Sequence, residues 1–157
     1  MARLKNKKTA SKRYWLNALL LILPVVFIYQ SFNPEFPASL PETQAGDFTL
    51  TAMPYDEDKP YQHDGLYVKD FLVMFQDGGV DEIRQGFLNI GDKPLPIEEA
   101  QQHELGILHG TRHGQHVHGL AQERITAGQK IWVTLQTWDG EIHQGSWEIP
   151  AHLISDV

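Results

Sequence analysis

The run from Tyr14 to Tyr29, YWLNALLLILPVVFIY, constrains this chain more than any other feature. Only Asn17 and Pro24 interrupt it. Its apolar core of about 15 residues is somewhat short of the roughly 20 that cross a bilayer as a helix. Tyr14, Trp15, Tyr29 and Phe32 extend it as interfacial aromatics at both ends. Arg3, Lys5, Lys7, Lys8, Lys12 and Arg13 precede it, with no acid among them. By the positive-inside rule such a tail stays in the cytoplasm and the rest is exported. The expectation is therefore a basic cytoplasmic tail over 1–13 and a single-pass signal-anchor over 14–32 in the inner membrane of a Gram-negative-type cell. The C-terminal domain then faces the periplasm. A cleaved signal peptide is the alternative, but it needs a small-x-small site after the apolar run. The segment 30–37, QSFNPEFP, offers none, and Thr43-Gln44-Ala45 lies far from the run.

Charge divides the chain at the same place. Beyond Gln30, 7 basic residues meet all 20 acidic ones, a net of −13. A body so acidic repels phosphates, so no nucleic-acid partner is expected. There is no cysteine, which excludes disulfides, thiolate zinc sites, iron–sulfur clusters and cysteine nucleophiles. Residues 33–46 hold Pro34, Pro37 and Pro41 without periodicity and read as an extended linker.

The region 47–150 reads as short β-rich runs separated by turn residues, and 151–157 as a C-terminal tail. Strands are predicted over 47–53, 65–75, 83–90, 104–109, 116–121, 130–138 and 141–149, with a short helix or irregular crossover over 95–102. About seven strands at this spacing predict an all-β sandwich of the immunoglobulin-like kind. Asp139-Gly140 between two alternating strands predicts a two-residue hairpin. That register sets Trp138 opposite Glu141, Gln136 opposite His143, Thr134 opposite Gly145 and Trp132 opposite Trp147. Trp132, Trp147 and Trp138 then share one sheet face, either packed under a loop or open as a partner-binding surface. Ile131, Val133, Leu135, Thr137 and Ile142 take the other face as core.

Five of the eight histidines fall in residues 103–118, HELGILHGTRHGQHVH. Imidazole is the commonest ligand for copper, zinc and nickel. His116 and His118 are two apart, so on a strand they project from one face and can hold one ion together. His109 and His113 lie across a glycine-rich stretch and can supplement them, and His143 is a further candidate from the neighbouring hairpin. Such a donor set suits Cu(II) first, with zinc or iron as alternatives. Met53 and Met74 are the only methionines of the exported part, too few for a Met-rich Cu(I) site. A solvated histidine-rich loop, a pH sensor, and noncovalent haem ligation are the other uses of such a cluster. The acidic turn 56–58 reads as solvated, and Asp70 as an outward-facing carboxylate.

No G-x-S-x-G, Walker A, G-x-G-x-x-G or H-E-x-x-H occurs. A non-enzymatic protein is expected, a His-ligated metal hydrolase being the remaining enzyme class.

The membrane run, the strand spacing and the His/Trp content of residues 14–150 together resemble small membrane-anchored immunoglobulin-like periplasmic proteins of copper handling. These are copper carriers of the CopC type and oxidase-accessory proteins of the FixH type. The resemblance implies metal delivery beside a membrane transporter or an oxidase under assembly; no ligand residue carries over from it. An iron or haem uptake accessory protein is one alternative. A metal-free module docking on a membrane partner through its tryptophans is another.

Overall fold

The computed structural model describes residues 7–34 and 36–155. The chain divides into two compact units, Met1–Glu35 and Phe36–Val157. The first is helix α1, Lys7–Phe32, with Pro24 inside it. From Leu20 to Phe32 its apolar side chains are exposed. Among the described residues, no helix is long and apolar enough to cross a membrane.

The second unit is all-β. Its strands are β1 (Thr43–Ala45), β2 (Phe48–Pro54), β3 (Tyr61–His63), β4 (Leu66–Asp77), β5 (Ile83–Gly91), β6 (His109–Thr111), β7 (Gly114–Ala121), β8 (Lys130–Thr137) and β9 (Ile142–Glu148), with one turn of helix, α2, at Ile97–Ala100. All nine belong to one sheet of order β1-β2-β4-β7-β5-β8-β9, with β3 added beside β4 and β6 beside β7. Every pairing is antiparallel except β5 with β7, which meet in parallel at Asn89 and Leu120. The two ends of the sheet approach each other: the Thr43 hydroxyl donates to the Ser146 carbonyl at 2.9 Å, and the Trp147 indole to the Pro41 carbonyl at 2.8 Å. The result is a nearly closed barrel, where the sequence suggested two stacked sheets.

Alternation along the strands fills the inside. Phe48, Leu50 and Ala52 of β2, Phe71 and Val73 of β4, Val117 of β7, Leu88 and Ile90 of β5, and Ile131, Val133 and Leu135 of β8 form one buried cluster with Trp147. Lys69 shares this inward side of β4 and is almost fully buried. A buried ammonium needs partners. It donates to Asp56 Oδ1 at 2.7 Å and to the carbonyls of Asp56 and Asp58 at 3.0 and 2.7 Å. The acidic turn 56–58 is exposed, as its composition suggested, yet it is fixed from below by this lysine.

Four expectations are corrected. First, β8 and β9 pair one residue out of the expected register: Leu135 faces His143, Val133 faces Gly145 and Ile131 faces Trp147. The Gly140 N–H donates to the Thr137 carbonyl and the Thr137 N–H to the Glu141 carbonyl, both at 3.0 Å. The loop is thus three residues, Trp138 to Gly140, with Gly140 at φ +92° as its left-handed closing residue. A one-residue slip moves every side chain of a strand to the opposite face. Trp147 therefore enters the core, while Trp132 lies half-buried outside, its indole donating to the Gly91 carbonyl at 3.0 Å. The common tryptophan face does not form. Second, the segment 104–109 forms no strand before His109: it joins β5 by an isolated bridge, Phe87 with Ile107, and β7 by the Gly106 N–H donating to the His118 carbonyl at 2.9 Å. Third, the segment read as linker contributes the buried Leu40 and all of β1, and the tail contributes the buried Leu153. Ser155 fixes the end of the described chain, its N–H donating to the Ile125 carbonyl at 2.9 Å. Fourth, β3 was not foreseen. It is joined to β4 by Asp64 (φ +46°) and Gly65 (φ +83°), a two-residue turn with both residues left-handed.

Candidate metal centre

Three neighbouring strand pairs put imidazoles on the outer face of the sheet. In β7, Val117 points into the core, so His116 and His118 on either side of it point out. Across one edge of β7, His116 faces His109 of β6. Across the other, His118 faces Asp70 of β4, whose neighbours Lys69 and Phe71 are buried inward. The β3–β4 hairpin adds Tyr61 and His63.

The rings form a continuous string. His63 stacks on His118 with centroids 5.2 Å apart, His118 meets His116 edge-on at 4.6 Å, and His116 meets His109 at 5.0 Å. Tyr55 lies edge-on to His116 at 5.3 Å. Ligand atoms of Asp70, His116 and His118 all lie within 4.8 Å of one another.

The hydrogen bonds select which nitrogens are left to bind. The His109 Nδ1–H donates to the Ile107 carbonyl at 3.1 Å, which can only accept, so Nε2 carries the lone pair of the neutral ring. That Nε2 stands 3.2 Å from His116 Nδ1. The His118 Nδ1–H donates to Asp70 Oδ1 at 2.5 Å, leaving its Nε2 free. Tyr61 in turn donates its hydroxyl to Asp70 Oδ2 at 3.0 Å. Burial and the hydrogen bond to Asp70 raise the Tyr61 pKa and keep the phenol a donor. Imidazoles whose second nitrogen donates to a carboxylate or carbonyl are oriented for metal ligation. For His116, burial first and then the neighbouring His118 lower the pKa below the usual 6.5, against an opposing pull from Asp70. Its neutral, ligating form is thereby favoured at neutral pH.

Of the five candidate ligands read from the sequence, the structure gathers His109, His116 and His118. His113 occupies the tip of the β6–β7 turn, where its Nε2 accepts from Arg112 Nε at 3.3 Å. His143 lies on the inward side of β9 beside Phe48, at 5.8 Å between rings, and 3.7 Å from Glu141. Neither joins the string. Sequence reading missed Asp70, Tyr61 and His63 as members. The signals available were the Asp-Gly turn at 64–65, which announces a hairpin, and a carboxylate in the middle of an apolar strand.

The three tryptophans read as a partner surface are dispersed. Trp147 is core, Trp132 is half-buried, and Trp138 is exposed at the β8–β9 turn with its indole donating to the Asp81 carbonyl at 3.0 Å.

Residues 9–150 match the family model described as Uncharacterised conserved protein UCP029505. No curated protein and no solved structure matches the chain.

Proposed function

The chain belongs to this uncharacterised family, and from its outer-face cluster we propose that it is a membrane-anchored periplasmic metal-binding or metal-delivery accessory protein, with copper as its first ion. The observation that carries this reading is the convergence of Asp70, His116 and His118, whose ligand atoms all lie within 4.8 Å of one another. The His109 ring adjoins His116 at 5.0 Å and can supplement this set. Nitrogen donors without thiolate favour Cu(II) by the ordinary order of divalent affinities, with zinc or iron as competitors.

Support for the anchor comes from the exposed apolar side chains of α1 between Leu20 and Phe32, which need a nonpolar cover, and from the basic residues that precede them. Inner-membrane attachment would hold the site beside a transporter or an oxidase under assembly. The protein performs no reaction of its own on this reading.

The test is calorimetric titration of the full chain in detergent with Cu(II), Zn(II) and Fe(III), run beside the His116→Ala/His118→Ala variant. The expected result is binding on the order of micromolar or tighter, lost in the variant, with Cu(II) preferred. Absence of binding for every ion at neutral pH removes this reading. A metal-free docking module then takes its place, favoured by the exposure of Trp138 and Ile142 at the β8–β9 turn.

A further inference from the structure

We propose that one mouth of the barrel is a binding site for a small, neutral aliphatic molecule carrying one hydroxyl or N–H donor. A cavity of about 80 Å³ opens there, independent of the histidine face and of any metal. Its apolar walls are Phe75 near the end of β4, Val80 of the short helical turn Val80–Glu82, Ile83 at the start of β5, Leu108 just before β6, and Leu135 near the end of β8. The strands beneath it, β4, β7, β5 and β8, are consecutive in the sheet. Barrel mouths are common positions for small-molecule sites.

Two departures from an ordinary core make this space. Alternation places Gly86 in the inward row of β5 with Leu88 and Ile90, and Gln115 in the inward row of β7 with Val117. Gly86 presents no side chain, and a methyl group there would stand 3.0 Å from Leu135 Cδ2 and 3.5 Å from Leu108 Cδ2. Gln115 is 6% exposed where the pattern calls for an apolar residue. Its Nε2 donates to the Thr111 carbonyl at 2.6 Å, while its Oε1 has no partner among the described residues. A buried amide oxygen left unserved destabilises the fold, so such a group in a cavity wall points to a donor from outside the chain. The other glutamine of the wall, Gln85, is engaged at both ends: it donates to Gln136 Oε1 at 2.6 Å and accepts from Gln101 Nε2 at 3.1 Å.

This lining selects the ligand. A water molecule wants two to four polar partners, and between these apolar walls Gln115 Oε1 is the one acceptor left over. An ammonium would lose its hydration with no carboxylate in the wall to receive it. A neutral molecule with one donor serves Gln115 and covers the apolar walls with its aliphatic body. Size narrows the choice further. An apolar cavity of about 150 Å³ admits benzene, so a space near half of that suits a branched group of roughly four carbons and excludes an aromatic ring.

The experiment is nuclear magnetic resonance of the full chain in detergent with labelled Ile, Leu and Val methyls, titrated with 2-methylpropan-1-ol and with 1-fluoro-2-methylpropane, which has the same shape and no donor. Nuclear Overhauser contacts are expected from the alcohol to the methyls of Val80, Ile83, Leu108 and Leu135, with a Kd on the order of millimolar. The fluoride should bind at least about tenfold more weakly, because it leaves Gln115 Oε1 unserved. Gly86→Ala should abolish the contacts, and Leu108→Phe, at a partly buried position, should do the same from the opposite wall. Gln115→Leu should keep the contacts but bind the two probes within about twofold of each other, having lost the acceptor. Unshifted methyl signals of Leu40 and Ile125, which lie outside the cavity wall, check that each variant is folded. Contacts from water alone, alcohol contacts that survive in both folded filling variants, or equal affinity of the unaltered protein for the two probes would each overturn the proposal.

Discussion

The β6–β7 and β8–β9 hairpins both carry histidine, yet one gathers its imidazoles and the other buries or scatters its rings. In β6–β7, Thr111 faces Gly114 across a two-residue turn, and His109, His116 and His118 emerge together on the outer face. In β8–β9 the loop has one residue more, and His143 comes to lie on the same side as Leu135 and Trp147, beside Phe48. The space there is already closed, since a methyl group on Gly46 would fall 2.1 Å from His143 Nδ1. Composition made the two hairpins look alike; register made one a candidate site and the other part of the barrel wall.

The contrast can be broken most forcefully through its structural half. Trp147→Ala should cost about 3–5 kcal/mol, the usual penalty for emptying a buried tryptophan site, read as a shift in the urea midpoint. Trp138→Ala, at an exposed turn, should cost about 1 kcal/mol or less, the range for surface changes with one hydrogen bond at stake. Equal losses would rule out the β8–β9 register that buries Trp147. Next in size is the metal affinity of His116→Ala/His118→Ala, which should fall by more than the roughly 10- to 100-fold typical of outer-shell changes. Asp70→Asn should then show that smaller 10- to 100-fold loss, since it weakens the brace on His118 and leaves the ring in place. A gentler effect is expected with pH. His116 titrates lower in the folded protein than its ordinary 6.5. The unfolded chain therefore takes up its proton first, and stability of the metal-free protein falls as pH drops below about 6.5. His116→Gln should flatten that part of the profile measured by chemical denaturation. His143→Ala should leave metal affinity unchanged, and any loss there would show that the two hairpins cooperate.

How much of this was legible in the chain differs between local and distant features. The period-two placement of His116 and His118 around Val117 is local and could be read directly. So could the existence of a hairpin at Asp139-Gly140, but the same dipeptide serves loops of two and three residues, and only the Thr137–Glu141 pairing distinguishes them. Asp70 lies 48 residues from His118 in sequence, and no periodicity links them. β3 has three residues, too few for alternation to show, although its turn residues were visible at Asp64-Gly65. The single sheet likewise depends on distant pairings, β4 with β7 and β5 with β7, that no local pattern encodes.

The buried Leu40 and the strand at Thr43–Ala45 draw the sheet domain's start closer to α1 than proline content suggested. Between Phe32, the last residue of α1, and Leu40 lie only residues 33–39. Fully stretched, such a segment spans on the order of 25 Å. A connection of so few residues leaves a protease little exposed chain to cut between α1 and the first strand.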